Sequence, residues 1–155
     1  MVLAIISIAA AVGRWRGHSL PDGISGAAHV IDGDSLRVGG HEIRLQGIDA
    51  PEGRQECTRD GAPWPCGREA ARRLRAIVGR GQVSCQARKR DQHQRVLAVC
   101  TVDGRDINRQ MVAEGWAVSY GAYRAEEEAA RRARRGIWSG AFDRPRDWRA
   151  RHMSR

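Results

Sequence analysis

"HVIDGDSLRVGGHEIRLQGIDAPE", residues 29–52, decides the fold. In "HEIRLQGI" the alternation is clean: Ile43 and Leu45 point to one face of an extended segment, Arg44 and Gln46 to the other. Gly39 and Gly40 form a hairpin turn signal just before it. Upstream, "VIDGDSLRV" has β-forming ends and a polar middle. Ile31 and Leu36 lie an odd number of positions apart, so one alternating strand would put them on opposite faces; a bulge or turn at "DGDS" is expected.

The rest of the chain adds helices and a second pair of strands. "REAARRLRAIVG" places Ala70, Ala71, Leu74, Ile77 and Val78 on one helical face, with Gly79 as a stop. "QVSCQARKR" and "RVLAVCTV" read as strands joined tightly near Gln92 and His93. "DINRQMVAEG" is a short helix with Asp106 as N-cap and an end at Gly115. "RAEEEAARRARRGIW" is a third helix, ending at Gly136, with Ala125, Ala129, Ala133 and Ile137 recurring every four residues. Glu127–Arg131 and Glu128–Arg132 are favourable i,i+4 pairs on it. Five short strands with a helix between the third and fourth is the order of an OB-type barrel, a platform for nucleic acids and sugars. The expected class is α+β, mainly β: a five-stranded OB-type barrel with three helices.

A chain of 155 residues suits one domain with one core. The expected division is a leader and linker over 1–24, the barrel domain over 25–140 and a loosely held basic tail over 141–155. The formal charge is +9, and Lys89 is the only lysine. Such a balance favours a polyanionic partner, nucleic acid first and an anionic membrane second; coding bias toward arginine is the plain alternative. Nothing in the sequence calls for an obligate protein partner.

"MVLAIISIAAAVG" is apolar for roughly a dozen positions, short of the ~20 that span a bilayer. It fits the apolar region of a secretory signal, although "RWRG" follows it where a basic leader would precede. The expectation is an exported chain, periplasmic or secreted, with a short membrane anchor as second choice and a buried N-terminal strand as third.

Cys57, Cys66, Cys85 and Cys100 make an even count behind a possible export signal, which suggests disulfides. A hairpin centred on Gln92 and His93 sets Cys85 opposite Cys100, within disulfide range. Cys57 and Cys66 would then staple "CTRDGAPWPC". No C-x-x-C spacing points to zinc. Four reduced, buried cysteines in a cytosolic protein is the alternative.

The acids of the opening stretch have two readings. Asp and Gly are ordinary turn formers, and Asp32 reads more readily as structural. Yet a hard cation such as Ca²⁺ takes several oxygen ligands. "DGD" sets Asp32 and Asp34 on one side of an extended segment, and "DAPE" sets Asp49 and Glu52 on a turn stiffened by Pro51. If the first and third strands share a sheet, these groups meet at one end, with Arg44 free to face a groove. Carboxylates, a cation and arginines together suit phosphodiester hydrolysis.

"VIDGDSLRV", "IRLQGIDAPE", "DQHQRVLAVCTVDGRDINRQMVAEGWA" and "RRGIW", in that order and spacing, resemble the successive motifs of the staphylococcal nuclease, or thermonuclease, family. The resemblance covers about residues 28–138. It implies an OB barrel with three helices and a Ca²⁺-dependent nuclease acting on DNA and RNA. Asp34 and Asp49 match the family's metal-binding aspartates, and Ala50 the position that offers a main-chain carbonyl to the ion. Glu52 matches the catalytic glutamate, and Arg44 and Arg95 the phosphate-binding arginines. Asp32 matches an acid beside the metal, in a supporting place.

Where the family shows Tyr-Gly before the fifth-strand arginine, this chain has His93-Gln94, which changes the nucleotide contact and the turn. His93, Tyr120 and Tyr123 are the candidates for substrate binding, the tyrosines by stacking on a base; packing between helix and barrel is the tyrosines' other reading. The set of Asp34, Asp49, Glu52, Arg44 and Arg95 favours an enzyme over a non-catalytic OB module that binds nucleic acid, because a binder has no need of the glutamate. A membrane-tethered envelope or polysaccharide-linked protein is the third reading, supported by the N-terminal segment alone.

Overall fold

A computed structural model describes residues 20–153; the expected signal segment lies outside the described residues. The chain runs β1 (Ile24–Val30), β2 (Ser35–Val38), β3 (His41–Leu45), β4 (Ile48–Asp49), β5 (Cys57–Arg59), β6 (Ala62–Trp64) and α1 (Cys66–Val78). It continues with β7 (Gln82–Arg90), β8 (Val96–Val102), β9 (Arg105–Asp106), α2 (Ile107–Ala113), β10 (Val118–Ser119), α3 (Arg124–Arg132), a 3-10 turn (Gly136–Ser139) and α4 (Pro145–His152).

β1, β2 and β3 form an antiparallel meander, and β1 also pairs with β7, which pairs with β8. β8 then runs parallel to β3, with Ile43 opposite Val96 and Leu45 opposite Ala98. That last pairing closes five strands into a barrel and leaves none of them as a bare edge. Ile43 and Leu45 face inward and are buried, while Arg44 between them is half-buried. Leu36, Val38, Val83, Val96 and Val102 complete the barrel interior. α1 covers it with Ala70, Leu74, Ile77 and Val78, and α2 with Ile107, Met111 and Val112. Each fully buried aliphatic side chain contributes on the order of 1.5–3 kcal/mol, so truncating Leu74 would cost more than any single surface contact here.

"DGDS" is a turn that opens on a bulge: the amides of Ile31 and Asp32 both donate to the Ser35 carbonyl, at 2.9 and 3.3 Å. Leu36 is buried and Ile31 is left exposed, which resolves the odd spacing. Gly33 is required there, because a Cβ would stand 2.7 Å from the Ala50 Cβ and 2.9 Å from the Ala70 Cβ.

The cysteines pair as 57–66 and 85–100, with Cα atoms 5.6 and 4.1 Å apart. Cys85 lies opposite Cys100, but the β7–β8 hairpin slips register between Ala87 and Lys89. The connection is still a tight turn centred on Gln92 and His93: the Gln94 amide donates to the Asp91 carbonyl at 3.0 Å, and the Asp91 amide to the Arg95 carbonyl at 3.0 Å.

Two expectations fail. The third helix stops at Arg132 rather than Gly136, because Arg134 takes a left-handed φ of 52° and the chain turns into the 3-10 segment. Ala130 and Ile137 are its buried contacts, and Ala125 and Ala133 are exposed. Glu128 does reach Arg132 at 3.8 Å, but Glu127 pairs with Arg144 at 3.1 Å. The tail is not loose either. Ala141 pairs with Thr58 in an antiparallel bridge, and a fourth helix, α4, begins with Pro145 and buries Trp148. The C-terminal apolar residues that dock are few and widely spaced, so no periodicity announces them.

Candidate active site

One end of the barrel gathers the acids. Asp34 leaves the "DGDS" turn beside the start of β2, and its carbonyl accepts the Leu45 amide at 2.8 Å. Its carboxylate accepts the Ala50 amide at 3.0 Å and the Ser35 hydroxyl at 3.1 Å. Asp32 accepts the Asp34 amide at 3.1 Å, a supporting bond that shapes the turn. Asp49 lies on β4, held opposite Val118 of β10. Glu52 follows on a turn closed by Gln55, whose side chain accepts the Glu52 amide at 3.2 Å and whose own amide donates to the Glu52 carbonyl at 2.7 Å. Gly67 of α1 presses on the same turn: a Cβ there would stand 1.8 Å from the Glu52 carbonyl oxygen.

Arg44 binds the two aspartates together. Its Nη2 lies 2.7 Å from Asp49 Oδ1 and 3.1 Å from Asp34 Oδ2. Burial would lower the Arg44 pKa, but Asp34 and Asp49 together raise it. Burial pushes the Asp34 carboxyl up to about 7, with Arg44 pulling the other way. The neighbouring charges of Asp32 and Asp49 add to the effect of burial.

Arg149, which the sequence reasoning passed over, joins the group from α4. Its guanidinium donates to Asp49 Oδ1 and Oδ2 at 2.9 and 3.0 Å and to Glu52 Oε1 at 2.8 Å. Burial works against its charge, and the hydrogen bonds it donates to Asp49 and Glu52 outweigh that, raising its pKa. A lone Trp148 inside "RPRDWRARH", behind a proline suited to a first helical turn, was the available signal. Gln55 was also missed. It is buried and links the Glu52 turn to the Asp143 carbonyl at 2.7 Å.

Arg95 is not brought onto the acids. Its Nε donates to Asp91 at 2.8 Å, and it lines the same groove as Arg44, Asp49 and Glu52. His93 lies exposed in the β7–β8 connection, its amide on Asp91 at 2.8 Å. Gln94 keeps a left-handed turn, φ 65°, a region that favours glycine. Tyr120 stands 62% exposed on the groove rim, free to meet a base. Tyr123 packs on the core and donates to Asp106 at 3.2 Å; burial, then Asp106, raise its pKa to about 12.

The donor set suits a hard cation. Asp34 and Asp49 are buried carboxylates that touch the same nitrogen, and the Ala50 main chain lies between them and Glu52. Among the described residues no three acidic, histidine or cysteine side chains form a ready-made metal cage, and arginines contact Asp34, Asp49 and Glu52.

Comparison with known proteins gives the family. The family described as Staphylococcal nuclease homologue matches residues 42–140. The succinoglycan biosynthesis protein ExoI of Rhizobium meliloti is 35% identical over 74% of this chain and 64% of its own length. The probable endonuclease lcl3 of Botryotinia fuckeliana is 32% identical over 81% of this chain and 54% of its own. An uncharacterized endonuclease of Escherichia coli is 32% identical over 79% of this chain and 81% of its own. The chain thus spans less than two thirds of the first two of these relatives. With the closed barrel and the match over its central part, the chain belongs to the staphylococcal nuclease family.

Proposed function

We propose that the chain is a Ca²⁺-dependent nuclease that hydrolyses phosphodiester bonds of DNA or RNA. The observation that carries this is the meeting of Asp34, Asp49, Glu52 and Arg44 at one end of the barrel, on a groove that Arg95 also lines. Two relatives named as endonucleases and the +9 charge support it.

Asp34, Asp49 and the Ala50 carbonyl would hold the cation, which when bound polarises the phosphate and neutralises its charge. Glu52, rigidly placed by Gln55 and Gly67, takes the proton from the attacking water. Arg44 and Arg95 bind the non-bridging oxygens; a guanidinium fork fits them better than an ammonium. Tyr120 offers a ring to a neighbouring base.

The reading includes export to an oxidising compartment. All four cysteines are paired, a state the reducing cytosol disfavours. Mass measurement after alkylation tests this; four free thiols in protein from its native source would overturn it.

Purified protein incubated with single- and double-stranded DNA, and with RNA, should cleave in Ca²⁺ and stop in chelator. Absence of metal-dependent cleavage overturns the enzyme in favour of a binding module. Glu52→Gln should lower turnover by orders of magnitude while leaving nucleic-acid binding nearly intact.

A further inference from the structure

Arg149 lies beyond the residues that the family matches, on a helix that the barrel does not need for closure. Its Nη1 sits 2.9 Å from Asp49 Oδ1 and 2.8 Å from Glu52 Oε1, and its Nη2 sits 3.0 Å from Asp49 Oδ2. One guanidinium thus engages both oxygens of a proposed cation ligand and one oxygen of the proposed base. This is not a wandering surface side chain. α4 is held by buried Trp148, which stacks on His152 with ring centroids 4.4 Å apart. The segment before it is pinned twice, through the Thr58–Ala141 bridge and through Gln55 on the Asp143 carbonyl.

We propose that Arg149 is a built-in cation of the active site: it occupies the Asp49–Glu52 carboxylate pair, and a divalent ion must displace its guanidinium to bind. The proposal rests on the cation-dependent reading above. Its physical basis is charge. Asp32, Asp34, Asp49 and Glu52 cluster around Arg44 and Arg149, so removing Arg149 without a replacement leaves the acids to repel one another. A divalent ion on Asp49 supplies that replacement, and its charge repels the guanidinium from the same oxygens. The two cations exclude each other. The consequence is a raised apparent dissociation constant: the site fills at higher ion concentrations than the acids alone would need, and the acids stay paired where the ion is scarce.

Titration calorimetry with CaCl₂ alone, without nucleic acid, tests this on the full chain. Arg149→Met keeps the apolar stem and removes the charge. If Arg149 occupies the acids most of the time, Arg149→Met binds Ca²⁺ about tenfold or more tightly than the unaltered protein. Arg146→Met, an equal loss of charge on an exposed position of the same helix, changes the affinity less than about twofold, because solvent and salt screen it.

Equal or weaker Ca²⁺ binding in Arg149→Met, with binding intact in the unaltered protein, overturns the proposal and leaves the nuclease reading standing. An arginine that serves only as a phosphate ligand gives that result, together with weaker oligonucleotide binding. No Ca²⁺ heat in any variant, with no metal-dependent cleavage, overturns both. A second measurement needs no folded variant. The Arg149 guanidinium protons, followed by nuclear magnetic resonance in arginine-labelled protein, should shift toward free-arginine positions as Ca²⁺ is added. Resonances that stay in place through saturation overturn the displacement.

Discussion

The Asp34 carboxylate accepts the Ala50 amide at 3.0 Å, and this bond ties the turn after β1 to the turn after β4. The two turns that carry the proposed cation ligands are therefore registered by a ligand itself. Asp34 sits there at 4% exposure, with burial raising its pKa to about 7.

Asp34→Asn keeps an acceptor for the Ala50 amide and removes a buried charge. The expected result is a cation-free melting temperature at or above that of the unaltered protein, with no rise on adding Ca²⁺. The unaltered protein should rise with Ca²⁺. Scanning calorimetry with and without the ion decides it; a clear drop in the cation-free midpoint would mean that Arg44 depends on the Asp34 charge.

Gln55→Ala strips the Glu52 amide and the Asp143 carbonyl of their side-chain partner in one step. A loss of about 1–3 kcal/mol is expected from groups left without hydrogen bonds. Urea unfolding measures it. Cleavage should also fall, through misplacement of Glu52 rather than loss of a group that touches substrate.

Gln94→Gly should stabilise the protein. Gln94 holds φ at 65°, which a side chain resists by roughly 1–2 kcal/mol and glycine does not. Glycine's extra freedom in the unfolded chain offsets part of this, so a net gain of about 0.5–1 kcal/mol is expected. No change in the urea midpoint would count against strain in this turn.

Glu114 clamps α2 to α1 through Arg73, with Nη2 to Oε1 at 2.7 Å and a second bond from Nε. Burial alone would raise the Glu114 pKa, but Arg73 and Gln110 outweigh it and hold it below 4.5. A depressed folded pKa means the contribution is present above pH 4.5 and disappears as pH falls through the lower folded value. Glu114→Gln should therefore lose stability at pH 7 and match the unaltered protein more closely near pH 3. A stability gap that does not shrink in acid would reject the clamp as a charged contact.

Cys57 and Cys66 close a short loop, with a sequence separation of 9, beside the Glu52 turn. Replacing both by serine should cost about 2–3 kcal/mol by freeing the unfolded chain. The denaturant midpoint reads the change.

The barrel was legible because its signals are local. Ile43 and Leu45 alternate with Arg44, two glycines mark the β2–β3 turn, and Leu74 and its neighbours recur at helical spacing. The Cys85–Cys100 pairing followed from hairpin symmetry alone, and survived because the slip lies between Ala87 and the turn. The end of α3 was not legible: Arg134 goes left-handed so that the Arg135 and Gly136 backbone can pack against Gly115, a contact between distant segments. The aspartates, Arg44 and Glu52 were found by motif, but a motif holds no record of what fills the space among them.

Sequence alone determined which side chains point into the barrel and which acids lie at one end of it, because both follow from a two-residue period and from turns a few residues long. Tertiary structure alone decided that Arg149, 97 residues from Glu52, covers the acids. Those contacts depend on how the C-terminal segment docks through Ala141, Asp143 and Trp148 onto a surface assembled from β5 and the Glu52 turn. No local pattern encodes such a docking, because its energy comes from surfaces that exist only once the barrel has closed.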